Sequence, residues 1–220
     1  MVPPFDLLPS LLTGLSVTLQ LAMGGSILAI FAALVSGLAR VSKNKIIRFL
    51  ASVYVDLFRG TSALVQLFWV FFALPMLGIK LEAMTAGILV LGLNHGAYGA
   101  EVVRGAIQAV PREQYEASTA LNFTPLQTMF RVILPQSLLA MLPPFGNLLI
   151  ELLKNTALVS MITLSDLTFQ GQILRSATLR SGEVFSLILI LYFLLALTIT
   201  WTIRGIERKL AVGRDYGGIR

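Results

Sequence analysis

The sequence predicts an all-α integral membrane protein of about five transmembrane helices, with its N-terminus outside and its C-terminus in the cytoplasm. Three observations carry this. First, 56% of the 220 residues are apolar and only 13% charged, with a mean hydropathy of +0.81. A soluble domain carries about 25% charged residues, so a soluble enzyme, a disordered chain and a nucleic-acid binder are all disfavoured. Second, the remaining charges bound five charge-free intervals: Asp6 to Arg40, Arg59 to Lys80, Glu82 to Glu101, Arg131 to Glu151 and Glu183 to Arg204. A spanning helix needs about 20 mainly apolar residues, so each interval can hold one. Third, twelve of the 17 Lys and Arg fall in three segments that share one side if every interval crosses, and the positive-inside rule makes that side cytoplasmic. The net charge of +6 then needs no polyanionic partner.

The spans are expected at about 13–39, 50–78, 83–104, 126–150 and 184–204 within a single domain, 1–220. The first interval is long for one crossing. An interfacial stretch from Phe5 to Leu12 is expected before it, with Ser10 or Thr13 as a cap. Its first basic residue is Arg40, so the charged n-region of a signal peptide is missing and the first helix should remain in the mature protein. The second helix can begin near Ile47, taking Asp56 and Arg59 with it. Pro143, Pro144 and Gly146 are expected to interrupt the fourth. The stretch Asn155 to Ser165 is too short to span and rich in hydroxyls, which suits a buried or re-entrant segment. Asp166 to Gly182 has the length of a short external helix. The absence of cysteine excludes disulfides, thiolate catalysis and cysteine zinc sites.

The cytoplasmic loop at about 108–125 has readable punctuation. Pro111 suits the first position of a helix, and Glu113 and Glu116 lie near its N-terminus, where the helix dipole favours acids. Asn122 can take the left-handed conformation that closes a helix. Thr124, Pro125 and Gln127 form a capping box that opens the next one. A helix of 111–121 presenting Tyr115, Glu116, Ala117, Ala120 and Leu121 follows. An ordinary interfacial linker would carry the same signals.

Glu116-Ala117-Ser118, then Asn122, then Val132, Leu134 and Pro135 resemble the "EAA" loop of bacterial ATP-binding-cassette import permeases. That pattern is Glu-Ala-Ala, three residues, Gly, nine residues, Ile-x-Leu-Pro. The spacing fits throughout, with Ser118, Asn122 and Val132 as the departures. Arg59-Gly-Thr61, Val65-Gln-Leu-Phe68, Ala97-Tyr-Gly-Ala-Glu-Val-Val-Arg-Gly105, Leu134-Pro-Gln136 and Glu151-Leu-Leu-Lys-Asn-Thr156 resemble the polar amino-acid branch, the histidine, glutamate, glutamine, arginine and opine type. A fainter resemblance, over Met141 to Ser160, is to the ectoine and hydroxyectoine permeases. The resemblance implies a subunit that pairs with an identical or homologous permease. It also implies two cytoplasmic ATP-binding subunits docked on the EAA helices and an external solute-binding protein. ATP and Mg would sit in the ATPase partner, with no cofactor in this chain, which carries no Gly-x-x-x-x-Gly-Lys-Ser/Thr loop. Glu116, Ala117, Ser118 and Asn122 are the residues implied at the ATPase contact.

Three acid–base pairs share one spacing: Asp56/Arg59, Glu101/Arg104 and Glu151/Lys154. Each puts the acid three residues before the base on one helix face. Local neutralisation near a span end accounts for the first two. Glu151 and Lys154 stand beside Asn147 and Asn155 on one face if the helix continues, and a zwitterionic solute needs an acid for its ammonium. Asn147, Glu151 and Lys154, with Asn94 on the third span, are therefore the candidate solute-path residues. His95 has no companion ligands for a metal and suits interhelical hydrogen bonding. Gly92, Gly96 and Ala100 form a small-residue stripe for a close helix crossing, inside the subunit or against a partner. An import permease subunit for a polar amino acid or similar solute is the favoured function. A channel subunit without an ATPase is the alternative, and a scaffold or a repeat-built secondary transporter fits less well.

Overall fold

The structure is a computed structural model describing residues 5–211. Arg214 and Arg220, two of the basic tail residues, lie outside the described residues. A 3₁₀ turn, Phe5–Leu7, leads into α1 (Leu8–Arg40), then α2 (Lys45–Gly60), α3 (Ala63–Phe68), α4 (Ala83–Gln108), α5 (Arg112–Ala120), α6 (Pro125–Gln127), α7 (Leu134–Asn155), α8 (Leu167–Thr178) and α9 (Ser181–Ala211). No strand occurs among the described residues.

Side-chain size is distributed inside out relative to a water-soluble bundle. On α1 the buried stripe is Leu21, Gly25, Ala29, Ala33 and Gly37, while Met23, Ile27, Phe31 and Val35 point outward. Lipid tails are as apolar as leucine, so burial of large side chains drives nothing, and small residues that let backbones approach give the better packing. The facing stripe on α4 is Gly92, Gly96 and Gly99. A β-carbon on Gly96 would lie 2.7 Å from Cβ of Ala32 and 3.2 Å from the Ala29 carbonyl, and one on Gly99 would lie 2.6 Å from Cβ of Ala33. The small-residue stripe therefore packs within the subunit.

The contacts fix helix directions. Gly24 meets Ile88, Gly92 meets Leu28, and Gly37 meets Val103, so α1 and α4 run parallel. Gly99 meets Phe145 while Asn155 reaches His95, so α7 is antiparallel to α4. Gly146 against Ile203 and Leu153 beside Leu195 and Ile199 make α9 antiparallel to α7. Phe5–Arg40, Pro125–Ile162 and Ser181–Leu210 are long and apolar enough to cross a membrane, and the bent pair Lys45–Gly60 with Ala63–Leu77 makes a fourth candidate. The 26-residue α4 carries buried Asn94 and His95. Wrapped by α1, α2, α3 and α7, it meets protein rather than lipid and needs less apolar character.

Four local expectations are corrected. The second span is not one helix, because α2 and the helical run Ala63–Leu77 meet at 101°. Gly60 weakens the helix end, and Thr61 and Ser62 are extended. The fourth is not interrupted at Pro143 and Pro144, which lie inside continuous α7. Prolines adopt helical φ, so the helix continues at the loss of two backbone donors. Its irregularity comes earlier, as a π-helical stretch from Thr128 to Ile133. A similar stretch spans Trp69–Ala73. Each ends just before a Leu-Pro, where the wider turn accommodates a proline that cannot bond four residues back. At the N-terminus α1 starts at Leu8 with Pro9 in its first turn and no side-chain cap. Thr13 instead donates to the Ser10 carbonyl at 2.6 Å. Finally, Asp56 and Arg59 do not pair; Arg59 turns to Glu101.

Thr156–Ile162 continues α7 as a 3₁₀ helix that buries Thr156, Val159 and Ile162, the three-residue period of that helix. Thr163 then takes φ 65°, and buried Asp166 caps α8 by accepting from Thr168 N at 3.1 Å and Phe169 N at 3.0 Å. Burial pushes its carboxyl above the usual range, against the pull of those two amides. The hydroxyl of Thr18 accepts from Leu167 N at 3.1 Å, which fastens α8 to α1. Arg180 joins Asp6 at 2.8 Å and also Glu183, tying the N-terminal turn to the start of α9.

The α1–α4 contact gives the first prediction. Gly96→Val forces backbone and Ala32 apart and should destabilise by about 1–3 kcal/mol. Gly105, with nothing within 4 Å of a β-carbon, should accept Ala with no loss and a gain of up to about 1 kcal/mol. Thermal midpoints of the two variants in detergent check this; equal midpoints would remove the close contact as a source of stability.

Candidate functional site

The loop helix α5 opens on a proline and is closed by backbone bonding. Pro111 occupies the N-cap with ψ 145°, one position earlier than expected, and Glu113 lies in the first turn. Asn122 sits at φ 54°. Its N–H reaches the Thr119 carbonyl at 2.9 Å, and Phe123 N reaches that of Ser118 at 3.0 Å. This is the paired bonding of a Schellman ending. Two residues on, Gln127 N donates to Thr124 Oγ1 at 3.3 Å and Thr124 N to Gln127 Oε1 at 2.9 Å, completing the expected capping box. Glu116, Ala117, Ala120, Leu121 and Asn122 are exposed, and Leu126 and Phe130 extend the surface. Ser118 is buried beneath it, its hydroxyl donating to the Gln114 carbonyl at 2.7 Å. The helix is anchored below by Tyr115, which packs on Val103, Ile107 and Ile133, and by Gln136 Nε2, which donates to Gln114 Oε1 at 3.2 Å.

The polar residues singled out on the third and fourth spans separate into three sets. Asn94 holds the α2–α3 joint: its Nδ2 donates to the Phe58 carbonyl at 2.9 Å and to Gln66 Oε1 at 3.2 Å. Gln66 Nε2 in turn donates to the Phe58 carbonyl at 3.0 Å and to Thr61 Oγ1 at 2.6 Å. The Phe58 carbonyl, freed where α2 ends, is thus taken by two amide side chains. His95 bridges helices, with Nδ1 at 2.9 Å from the Leu91 carbonyl and Nε2 at 3.3 Å from Asn155 Nδ2. Asn147, Glu151 and Lys154 form the third set, exposed along one side of α7. No ion pair joins Glu151 to Lys154 among the described residues.

Glu101 is a hub. It receives Arg40 from the end of α1, Arg59 from the end of α2 at 3.2 Å, and Arg104 from its own helix at 2.8 Å. One carboxylate therefore sits among three guanidinium groups. Arg59 also lies over the Tyr98 ring, 5.3 Å from its centroid. No group of three or more metal-ligating side chains exists among the described residues.

Residues 25–212 match the family described as the inner membrane component of binding-protein-dependent transport systems. The chain belongs to that family. It is 45% identical over 217 residues to the probable amino-acid ABC transporter permease protein y4tF of Sinorhizobium fredii, covering 96% of this chain and 91% of that protein. It is 33% identical to the glutamine transport system permease protein GlnP of Escherichia coli, over 93% and 94%. Its fold matches a solved chain of an amino acid ABC transporter with histidines at TM-score 0.86 and 36% identity, covering 95% of this chain and 100% of that one. The MetNI methionine ABC transporter shares the fold at TM-score 0.79 and 22% identity. The chain is thus a multi-pass membrane permease subunit, and membership implies ATP-binding subunits and a binding protein as partners.

Within this permease the sequence located the loop cap by cap and missed the two tertiary knots. Arg59, Gln66, Tyr98, Glu101 and Arg104 all lie in stretches that carry the family resemblance, yet residues 42 apart meet at Glu101, and no local spacing encodes that. The loop generates a prediction. Thr124→Ala removes a cap worth about 1 kcal/mol, so amides of the Pro125–Gln127 turn should exchange about five-fold faster. Hydrogen exchange read by mass spectrometry checks it, with α4 as the unchanged reference.

Proposed function

We propose that the permease is the membrane-spanning subunit of an ATP-driven importer that carries a polar amino acid, or an amino-acid-like compatible solute, across a bacterial cytoplasmic membrane. An external binding protein delivers the solute. Two ATP-binding subunits, holding ATP and Mg, dock on the cytoplasmic face, and a second permease, identical or homologous, completes the pathway. The observation that carries this reading is the exposed α5, closed at Asn122 by a left-handed turn and joined to a membrane domain whose relatives are amino-acid permeases.

In this reading the chain crosses five times, with α1, α4 and α9 passing inward and α2–α3 and α7 returning. The N-terminus is outside and the C-terminus inside. Parallel α1 and α4 support this, because the chain must return once between them. Glu116, Ala117 and Asn122 meet the ATPase, and Ser118 seats the helix beneath them. The polar face of α7, with Asn147, Glu151 and Lys154, lines the solute path. Charges at bilayer depth cost about 2.5–3.5 kcal/mol each against lipid, so this face belongs against the second subunit or water. Asn94 stands behind the path and fixes the joint. A channel subunit has no use for the α5 surface, which argues against the alternative.

Two variants test the proposal in the complex with its ATPase and binding protein. Glu116→Lys should reduce solute uptake at least about ten-fold and loosen ATPase copurification, with the membrane domain still folded; full uptake would overturn the docking site. Glu151→Gln should lower uptake or change solute preference while the complex still assembles, and unchanged kinetics would take Glu151 off the path. Failure of the wild-type complex to take up any amino acid or ectoine would overturn the solute class.

A further inference from the structure

Tyr98 is an exception on α4. Residues 94–97, 99 and 100 are buried, whereas Tyr98 is 39% exposed. Asn94, four residues earlier, faces the α2–α3 joint, and His95, three earlier, faces Asn155 of α7. Tyr98 therefore lies on the strip of α4 between those two contacts, with the joint to one side and α7 to the other. Arg59 reaches from the joint over the ring. Glu151 stands exposed on α7, one helical turn from Asn155.

The Arg59 guanidinium is held without being used up. Of the two oxygens of Glu101, Oε2 takes both Nε and Nη2 of Arg104 at 2.8 Å, and Oε1 takes Arg40 and the longer Arg59 bond. Three positive charges share one negative. Arg59 is the most exposed of the three, with 39% of its side chain accessible against 16% for Arg40 and 34% for Arg104. Among the described residues it spends one of five donors in this bond. The remaining edge is planar and preset by the ring below, the geometry that meets a carboxylate through two parallel bonds.

We propose that Arg59, steadied on Tyr98 by Glu101, binds the carboxylate of a zwitterionic solute whose ammonium is held by Glu151 of α7. This rests on the solute path proposed for α7 and adds the anion half of the site. The shared chemistry is that of a small oxyanion, and a lipid phosphate is the competing source.

The test uses the permease–ATPase complex in phosphatidylcholine nanodiscs without binding protein, because the binding protein reads the solute itself. Radiolabelled protein amino acids serve as probe, displaced by the unlabelled acids or by their α-carboxamides. The wild type should bind label and prefer acids over carboxamides by about ten-fold or more, as expected for a charged bidentate contact. Arg59→Gln should lose a similar factor in affinity together with that preference, and Arg59→Lys should keep part of both. Three outcomes overturn the proposal: a wild type that binds no label, one that does not distinguish acid from carboxamide, or an Arg59→Gln complex that keeps affinity and preference. If Arg59→Gln fails to assemble, the wild-type preference and Arg59→Lys decide. Phosphatidylglycerol in the nanodisc separates the sources: suppression of label binding in the wild type but not in Arg59→Lys or Arg59→Gln would give the site to lipid phosphate and overturn the proposal. Binding-protein-stimulated ATP hydrolysis, measured on the same complex, survives if only the Arg59 assignment is wrong and is absent if the importer reading is wrong.

Discussion

Everything in this permease is hung on the contact between α1 and α4. In lipid, leucine gains little by leaving one apolar medium for another, so two helices adhere through the dispersion contacts that close backbones allow. Glycine and alanine supply that closeness at Gly92, Gly96 and Gly99 on one side and Ala29, Ala32 and Ala33 on the other. The pairing also sets direction. Because α1 and α4 are parallel, the chain between them has to return to the end at which α1 begins, and α2 with α3 makes that return.

The return is bent, and a bend buried among helices leaves carbonyls that need side-chain partners. The remedy is side-chain amide. Gln66 and Asn94 take the carbonyl of Phe58 from two directions, and Tyr54 donates to the Leu93 carbonyl at 2.7 Å. Asn94 is thereby spoken for. A buried amide that completes a backbone break is costly to remove, which makes it a poor mobile ligand and a good fixed one. The same logic applies at Glu101, where α1, α2 and α4 are pinned by a single carboxylate.

The sequence made local chemistry legible. Asn122 and Thr124 declared the end of one helix and the start of another because both signals are local: a left-handed backbone turn with backbone bonds at Asn122, and side-chain-to-backbone bonds at Thr124. Charge-free intervals located the apolar stretches, since an unpaired charge facing lipid is costly. They could not reveal direction, so an uncharged interval read as one straight helix turned out to contain a 101° corner. Pro143 and Pro144 misled in the opposite sense: proline costs a helix its bonds without dictating that it breaks. Asn147, Glu151 and Lys154 were legible as one face of α7, whereas the partner of Arg59 was not. Arg59 had an acid three residues away and chose one 42 residues away, a preference set by where α4 places Glu101.

The unbroken course of α7 matters for how the two candidate surfaces communicate. From the capping box at Thr124 the chain stays helical through Ile162 as one stretch of 38 residues, Pro125–Ile162. At 1.5 Å per residue, Glu151 lies about 39 Å along the rod from Pro125. Had Pro143 and Pro144 broken it, a displacement of α5 would have been absorbed midway, on the near side of Asn147 and Glu151. The irregular turn lies instead at the loop end, from Thr128 to Ile133, where α5 is braced against it by Tyr115 and against α7 by the Gln114–Gln136 bond. A π stretch bordered by such a brace is widened but still hydrogen-bonded. The loop helix is therefore braced on the same unbroken helical run that carries Asn147 and Glu151.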